Sequence, residues 1–249
     1  MFKEVLLFLL VGHVLGDFYT QTDNMAEKKK EEFRWVIYHS IIYFVTMVVL
    51  SISFMEWDLL LLVCCVSMVH FIVDSVKYGV TKGKKDNWIV LIWDQGIHLL
   101  SLVILSYVFV KNGLKMLEYL FIWEFFDTIG LSEIMLCKWM LGMLIIHKPA
   151  NILIQKFMQD YKPRMISDYL EIKKDNNIGR VIGTIERVIM LILIYMNQYS
   201  AIGLVLTAKS IARYDKIAKE QDFAEYYLLG TLISVGVVIF TAVLLFGIK

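Results

Sequence analysis

Residues 58–77 read Asp58-Leu59-Leu60-Leu61-Leu62-Val63-Cys64-Cys65-Val66-Ser67-Met68-Val69-His70-Phe71-Ile72-Val73-Asp74-Ser75-Val76-Lys77. A run of this length and apolarity meets the roughly 20 residues that cross the hydrocarbon of a bilayer. It predicts a transmembrane helix with a histidine and an aspartate four positions apart in its interior. Ionisable side chains are costly in hydrocarbon, so such a pair marks a functional site by default. On a helix, positions i and i+4 share a face, about 6 Å apart along the axis.

The same spacing occurs twice more in apolar sequence. His13 precedes Asp17 in the first run, and Asp94 precedes His98 in the fourth. The reversed order of the third pair is what a helix of opposite direction needs to place like residues at like depth. The three pairs are expected to stack as histidines over aspartates, forming a ligand cage.

Composition supports a polytopic membrane protein: 58% of residues are hydrophobic, with only 2 prolines, and mean hydropathy is +0.63. Apolar stretches lie at about 2–19, 36–55, 58–77, 88–110, 134–153, 181–197, 200–212 and 225–247. The expected architecture is an all-α transmembrane bundle of about 8 spans. Cytoplasmic loops carry excess lysine and arginine, and alternate connections do so here. The first holds Lys28, Lys29, Lys30 and Arg34, the third Lys77, Lys82, Lys84 and Lys85. The fifth holds Lys148, Lys156, Lys162, Arg164, Lys173, Lys174 and Arg180, the seventh Lys209, Arg213, Lys216 and Lys219. Both termini are then expected outside. A secretory signal is the rival reading of residues 1–19, but no small-residue cleavage pattern follows and His13 and Asp17 interrupt it.

With this topology the pairs, His39 near the start of span two, and the flanking Gln21 and Gln95 converge in the cytoplasmic half of the membrane. Mixed imidazole and carboxylate ligation suits a divalent transition metal, one ion or two, with zinc the first candidate. A metal there could activate water and polarise a phosphoryl or acyl oxygen. The expected ligands are His13, His39, His70 and His98. Asp17, Asp74 and Asp94 would act as further ligands, as orienters of the imidazoles or as the catalytic base. The plainer alternatives are an interhelical hydrogen-bond network and a proton or metal-ion transport path. The outer halves of spans one to four offer few polar residues, mainly Ser51, Ser53, Ser101 and Ser106, which favours catalysis over transport.

The string Gly12-His13-Val14-Leu15-Gly16-Asp17-Phe18, then Gln21-Thr22, Met25-Ala26, His39, His70-x3-Asp74 and Asp94-Gln95-x2-His98, resembles the bacterial membrane family called domain of unknown function 3307, over about residues 1–110. A looser likeness is to inner-membrane proteins described as metal-dependent hydrolases, taken as analogy. The resemblance implies a multi-pass protein of the bacterial cytoplasmic membrane, and the family name implies no activity.

The expected organisation is a four-helix site bundle at 1–110, an interfacial segment and fifth span at 111–158, a cytoplasmic linker at 159–180, and a C-terminal bundle at 181–249. The interfacial stretch carries Phe121, Trp123, Phe125 and Phe126 among acids. In the later half Glu186, Arg187, Lys209 and Arg213 are expected toward the cytoplasm, where the cations would suit a phosphorylated substrate or anionic lipid headgroup. Inside-positive anchoring plus a Glu/Arg pair is the plainer reading. Gly12/Gly16, Gly179/Gly183 and Gly230/Ser234 have the small-x3-small spacing of close helix contact. Cys64, Cys65 and Cys137 form no C-x2-C pair, so no thiolate site or disulfide framework is indicated. A net charge of +1 and the lack of a phosphate-binding glycine loop argue against nucleic acid. The bilayer is the expected partner, and a homo-oligomer is compatible with it.

Overall fold

The computed structural model describes residues 1–52, 56–83, 87–114, 128, 130, 132–162 and 178–247. Every regular element among them is helical. Phe121, Trp123, Phe125 and Phe126, and residues 163–177 of the expected linker, lie outside the described residues. The chain divides into two compact units, Met1–Leu144 and Ile145–Lys249.

The first unit opens with α1 (Phe2–Val14), which passes directly into a π-helical segment, Leu15–Tyr19. Then come the short α2 (Asp23–Glu31), α3 (Phe33–Ser51), α4 (Trp57–Thr81) and α5 (Trp88–Lys111). The sequence sets several of these boundaries. Thr22 caps α2 by accepting from the Met25 amide at 3.2 Å, and Asn87 caps α5 by accepting from the Val90 amide at 3.0 Å. Glu32, in extended conformation, separates α2 from α3. α3 packs on α4, α4 on α5, and α1 on both α3 and α5.

Two glycines set how closely α1 approaches α3. A Cβ at Gly16 would stand 2.6 Å from the Tyr43 ring, and one at Gly12 would collide with Met47. In hydrocarbon, where apolar side chains gain little by leaving lipid, such close backbone approach is a main source of helix association. Of the other expected contact pairs, Gly230 meets Met158, Gly183 faces the Arg187 guanidinium, and Gly179 has nothing within 4 Å.

The burial pattern is that of a membrane bundle. On α4 the inward positions are Leu59, Leu62, Val63, Val66, Ser67, His70 and Asp74, whereas Leu61, Met68, Ile72, Val76 and Val80 are exposed. Ionisable groups turned inward and aliphatic groups outward suit lipid as the surrounding medium. Below the histidines, counting toward the Val5 end of α1, a core of Val5, Leu9, Met47, Leu59, Leu62, Val63, Leu102 and Phe109 fills the bundle.

The helix Glu133–Gln159 is α6, and it crosses the division between the units. The second unit continues with α7 (Ile178–Tyr195), α8 (Tyr199–Ile211), α9 (Tyr214–Lys219) and α10 (Gln221–Phe246). Within it, α10 packs on α7 and α9, and α8 on α7.

Among the described residues, four helices are long and apolar enough to cross a membrane: α3, α4, α5 and α10. They correspond to the expected spans at 36–55, 58–77, 88–110 and 225–247; the other four expected spans do not meet that measure as single helices there. Residues 2–19 are divided between α1 and the π segment, and α8 has 13 residues, about 20 Å at 1.5 Å per residue. α7 carries Arg180, Glu186 and Arg187, and α6 carries Lys138, Lys148 and Pro149. Hydropathy counted over a stretch registers neither a change of helix type nor a cluster of charges at its edge.

Candidate metal centre

All seven histidines and aspartates expected in the cage are buried in the first unit. The imidazoles of His13, His39, His70 and His98 are contiguous, with ring centroids 4.3 Å apart for His70/His98, 5.3 Å for both His13/His98 and His39/His70, and 5.7 Å for His13/His70.

Two groups have ligand atoms all within 4.8 Å of one another: Asp17, His39 and His70, and His70, Asp74 and His98. They use opposite nitrogens of the shared ring. His70 Nε2 lies 3.6 Å from Asp17 Oδ1, and its Nδ1 lies 3.8 Å from Asp74 Oδ2. One ion cannot bind both nitrogens of an imidazole, so the ring separates two positions.

On the Asp17 side hydrogen bonds are already formed. His39 Nε2 donates to Asp17 Oδ1 at 3.1 Å, and Gln95 Nε2 donates to Asp17 Oδ2 at 2.6 Å. On the other side the gaps are longer. His98 Nε2 is 3.7 Å from Asp74 Oδ1 and 3.6 Å from Asp94 Oδ1. His70 Nδ1 and Nε2, His39 Nδ1, His98 Nε2 and Asp94 Oδ1 are buried with no hydrogen-bond partner, so His70 is unsatisfied on both faces of its ring. Buried polar atoms are rarely left so. Around a tetrahedral ion with bonds of about 2.0–2.2 Å, neighbouring ligand atoms stand about 3.4 Å apart. The observed gaps are close to that separation and too long for hydrogen bonds.

His13 belongs to neither group. Its Nε2 donates to Gln95 Oε1 at 3.2 Å and its Nδ1 lies 3.4 Å from the Tyr43 hydroxyl. His13 thus sits beside the two groups, in contact with the other imidazoles, rather than within either of them.

Three further residues complete the centre. Lys29 Nζ donates to Asp74 Oδ2 at 2.7 Å and to Gln21 Oε1 at 3.1 Å; Lys77 Nζ donates to Asp94 Oδ2 at 2.6 Å. Both lysines were expected as loop charges. The long aliphatic stem lets each turn its ammonium into the bundle. The Tyr43 ring lies 3.7 Å from that of His70, centroid to centroid. Its signal in the sequence is the spacing itself, since Tyr43 follows His39 by four positions. Two ammonium groups stand against three buried carboxylates, which leaves one negative charge beyond those pairs and suits the uptake of a cation.

The remaining predicted residues are in the second unit. Lys209 Nζ pairs with Glu186 Oε2 at 2.7 Å. Arg187 is buried, and its Nε donates to the Ile146 carbonyl at 2.7 Å and its Nη2 to Asn151 Oδ1 at 2.7 Å. It therefore has no ion pair with Glu186, contrary to the plainer sequence reading. Arg213 is exposed, 5.7 Å from the Tyr227 ring centroid.

The helices that carry this His/Asp pattern fall in a part of the chain that matches a known family. Residues 5–126 match the family model described as protein of unknown function, DUF3307. No curated protein and no solved structure matches the chain. The match covers the seven cage residues of this chain, so the polar centre lies within the matched region.

Proposed function

We propose that the first unit is a metal-dependent hydrolase of a membrane-associated or phosphorylated substrate, with one divalent transition metal, zinc first, held by His70, Asp74 and His98. The observation that carries this reading is the pair of unpartnered buried imidazole nitrogens, His70 Nδ1 and His98 Nε2, standing 3.8 and 3.7 Å from the Asp74 oxygens, separations suited to a shared ion, with the unpartnered Asp94 Oδ1 beside them. Asp17 Oδ1 lies 3.6 Å from His70 Nε2 on the opposite side of the ring, and would accept from it on a small closure, with His39 and Gln95 already donating to Asp17. Asp94, whose Oδ1 is free, is the general base. A divalent ion in this position would polarise a phosphoryl or acyl oxygen and activate water. Lys29 and Lys77 neutralise carboxylates at the edge of the site and would also face an anionic substrate.

The finer topology that accompanies this reading has eight spans, both termini outside and the site toward the cytoplasm of a bacterial inner membrane. Loop charge asymmetry supports it. A transport path is less favoured, because the bundle beyond Tyr43 is filled by the apolar core, and the Ser51 and Ser106 hydroxyls there donate to carbonyls of their own helices.

The test is hydrolysis of phosphomonoester and phospholipid substrates by zinc-reconstituted protein in liposomes. Asp94→Asn is expected to retain the metal and lose activity by about 100-fold or more, the scale of a lost general base. Full activity in Asp94→Asn, or none in the parent with any phosphoryl or acyl substrate, would refute the assignment.

A further inference from the structure

The second unit contains a cavity of about 220 Å³ between α7, α8 and α10, with Met158 of α6 at its edge. It is below the roughly 300–1,000 Å³ that encloses a drug-sized ligand, and of a size for a small charged group. Its polar lining comes from Glu186, Lys209, Arg213, Tyr226, Tyr227 and Thr231. Lys209 and Glu186 neutralise one another at 2.7 Å. Arg213 has no carboxylate within ion-pair distance among the described residues, so the lining carries one uncompensated positive charge. Arg213 and Lys209 both approach the Tyr227 ring, at 5.7 and 5.5 Å from its centroid. The Tyr227 hydroxyl and Thr231 Oγ1 are buried with no hydrogen-bond partner.

We infer that this cavity binds an anionic phosphoryl group. A guanidinium without a counter-charge and two unpartnered hydroxyls are complementary to phosphate oxygens, which accept charge-assisted hydrogen bonds. The surroundings favour a lipid as the source. Ile182 lines the cavity and is exposed, and Leu228 and Leu232, neighbours of Tyr227 and Thr231 on α10, are exposed as well. An acyl chain could leave the cavity along these side chains. The inference is independent of the metal centre, since none of its residues belongs to the first unit.

Calorimetric titration of the full chain in a neutral detergent tests it, with dihexanoylphosphatidylglycerol, dihexanoylphosphatidylcholine and inorganic phosphate as the probes. Saturable binding of the phosphatidylglycerol is expected, weakened about tenfold by Arg213→Gln and by the conservative Tyr227→Phe. Lys216→Gln, a nearby charge outside the lining, should leave it unchanged. Inorganic phosphate binding as tightly as the lipid, with the same sensitivity to Arg213→Gln, would support the site and assign its source to the free anion. Absence of saturable binding of either anion, equal binding of the phosphatidylcholine, or an equal loss in Lys216→Gln would overturn it. Melting of each variant without ligand separates a lost site from a lost fold.

Discussion

Lys29 shows how a single side chain sets the character of the centre. Its ammonium occupies Asp74 Oδ2 at 2.7 Å, the carboxylate that any ion beside His70 and His98 must share. Two unit charges about 4 Å apart interact by about 4 kcal/mol at an effective dielectric constant of 20. Removing the lysine charge should therefore strengthen cation binding even after the lost hydrogen bond. Lys29→Gln is expected to raise zinc affinity about tenfold by calorimetry, and weaker binding would contradict the competition argued here. Gly16 acts through space alone. Its missing Cβ admits the Tyr43 ring, which in turn lies against His70. Gly16→Ala should destabilise the bundle by about 1–3 kcal/mol, the usual cost of overpacking, seen as a lower melting temperature together with reduced zinc content. Unaltered melting would show that the contact can relax.

At the scale of elements, α3, α4, α5 and α10 were legible because length and apolarity decide them. Residues 53–55, 84–86 and 115–127 aside, those helices run where the hydropathy predicts. The π segment was not legible, since five residues of wider helix leave no periodic signature apart from the α-helix around them. Six of the cage residues could be read from the four-residue spacing and His39 from its place near the start of span two, but the division of labour among them could not. That His13 turns to Gln95 and Tyr43 while His70 faces two carboxylates depends on local rotation of α1. Loop charges likewise specify a side of the membrane and say nothing about which lysine turns inward. In α6, Pro149 removes an amide donor and opens a turn, and Arg187 Nε reaches the Ile146 carbonyl in that region. Arg187→Met would leave that carbonyl and Asn151 Oδ1 without this donor, at a cost on the order of 2–3 kcal/mol. The expected outcome is a lower melting temperature with zinc content unchanged. Loss of zinc in this variant would contradict a metal centre built wholly within the first unit.

For the molecule as a whole, the aliphatic exteriors of α3, α4 and α5 suit lipid outside, and the buried ionisable groups between them form His/Asp groups that could hold a metal ion. Alkaline carbonate washing should leave the protein in the membrane pellet, whereas its release would contradict an integral protein. A metal held by His70 and His98 is tested most directly by elemental analysis of the detergent-purified protein beside His70→Ala and His98→Ala variants. The expected result is one equivalent of a divalent transition metal in the parent, or after reconstitution with zinc, and its loss in both variants. A parent that carries none and takes up none, or variants that retain the parent's metal, would contradict it.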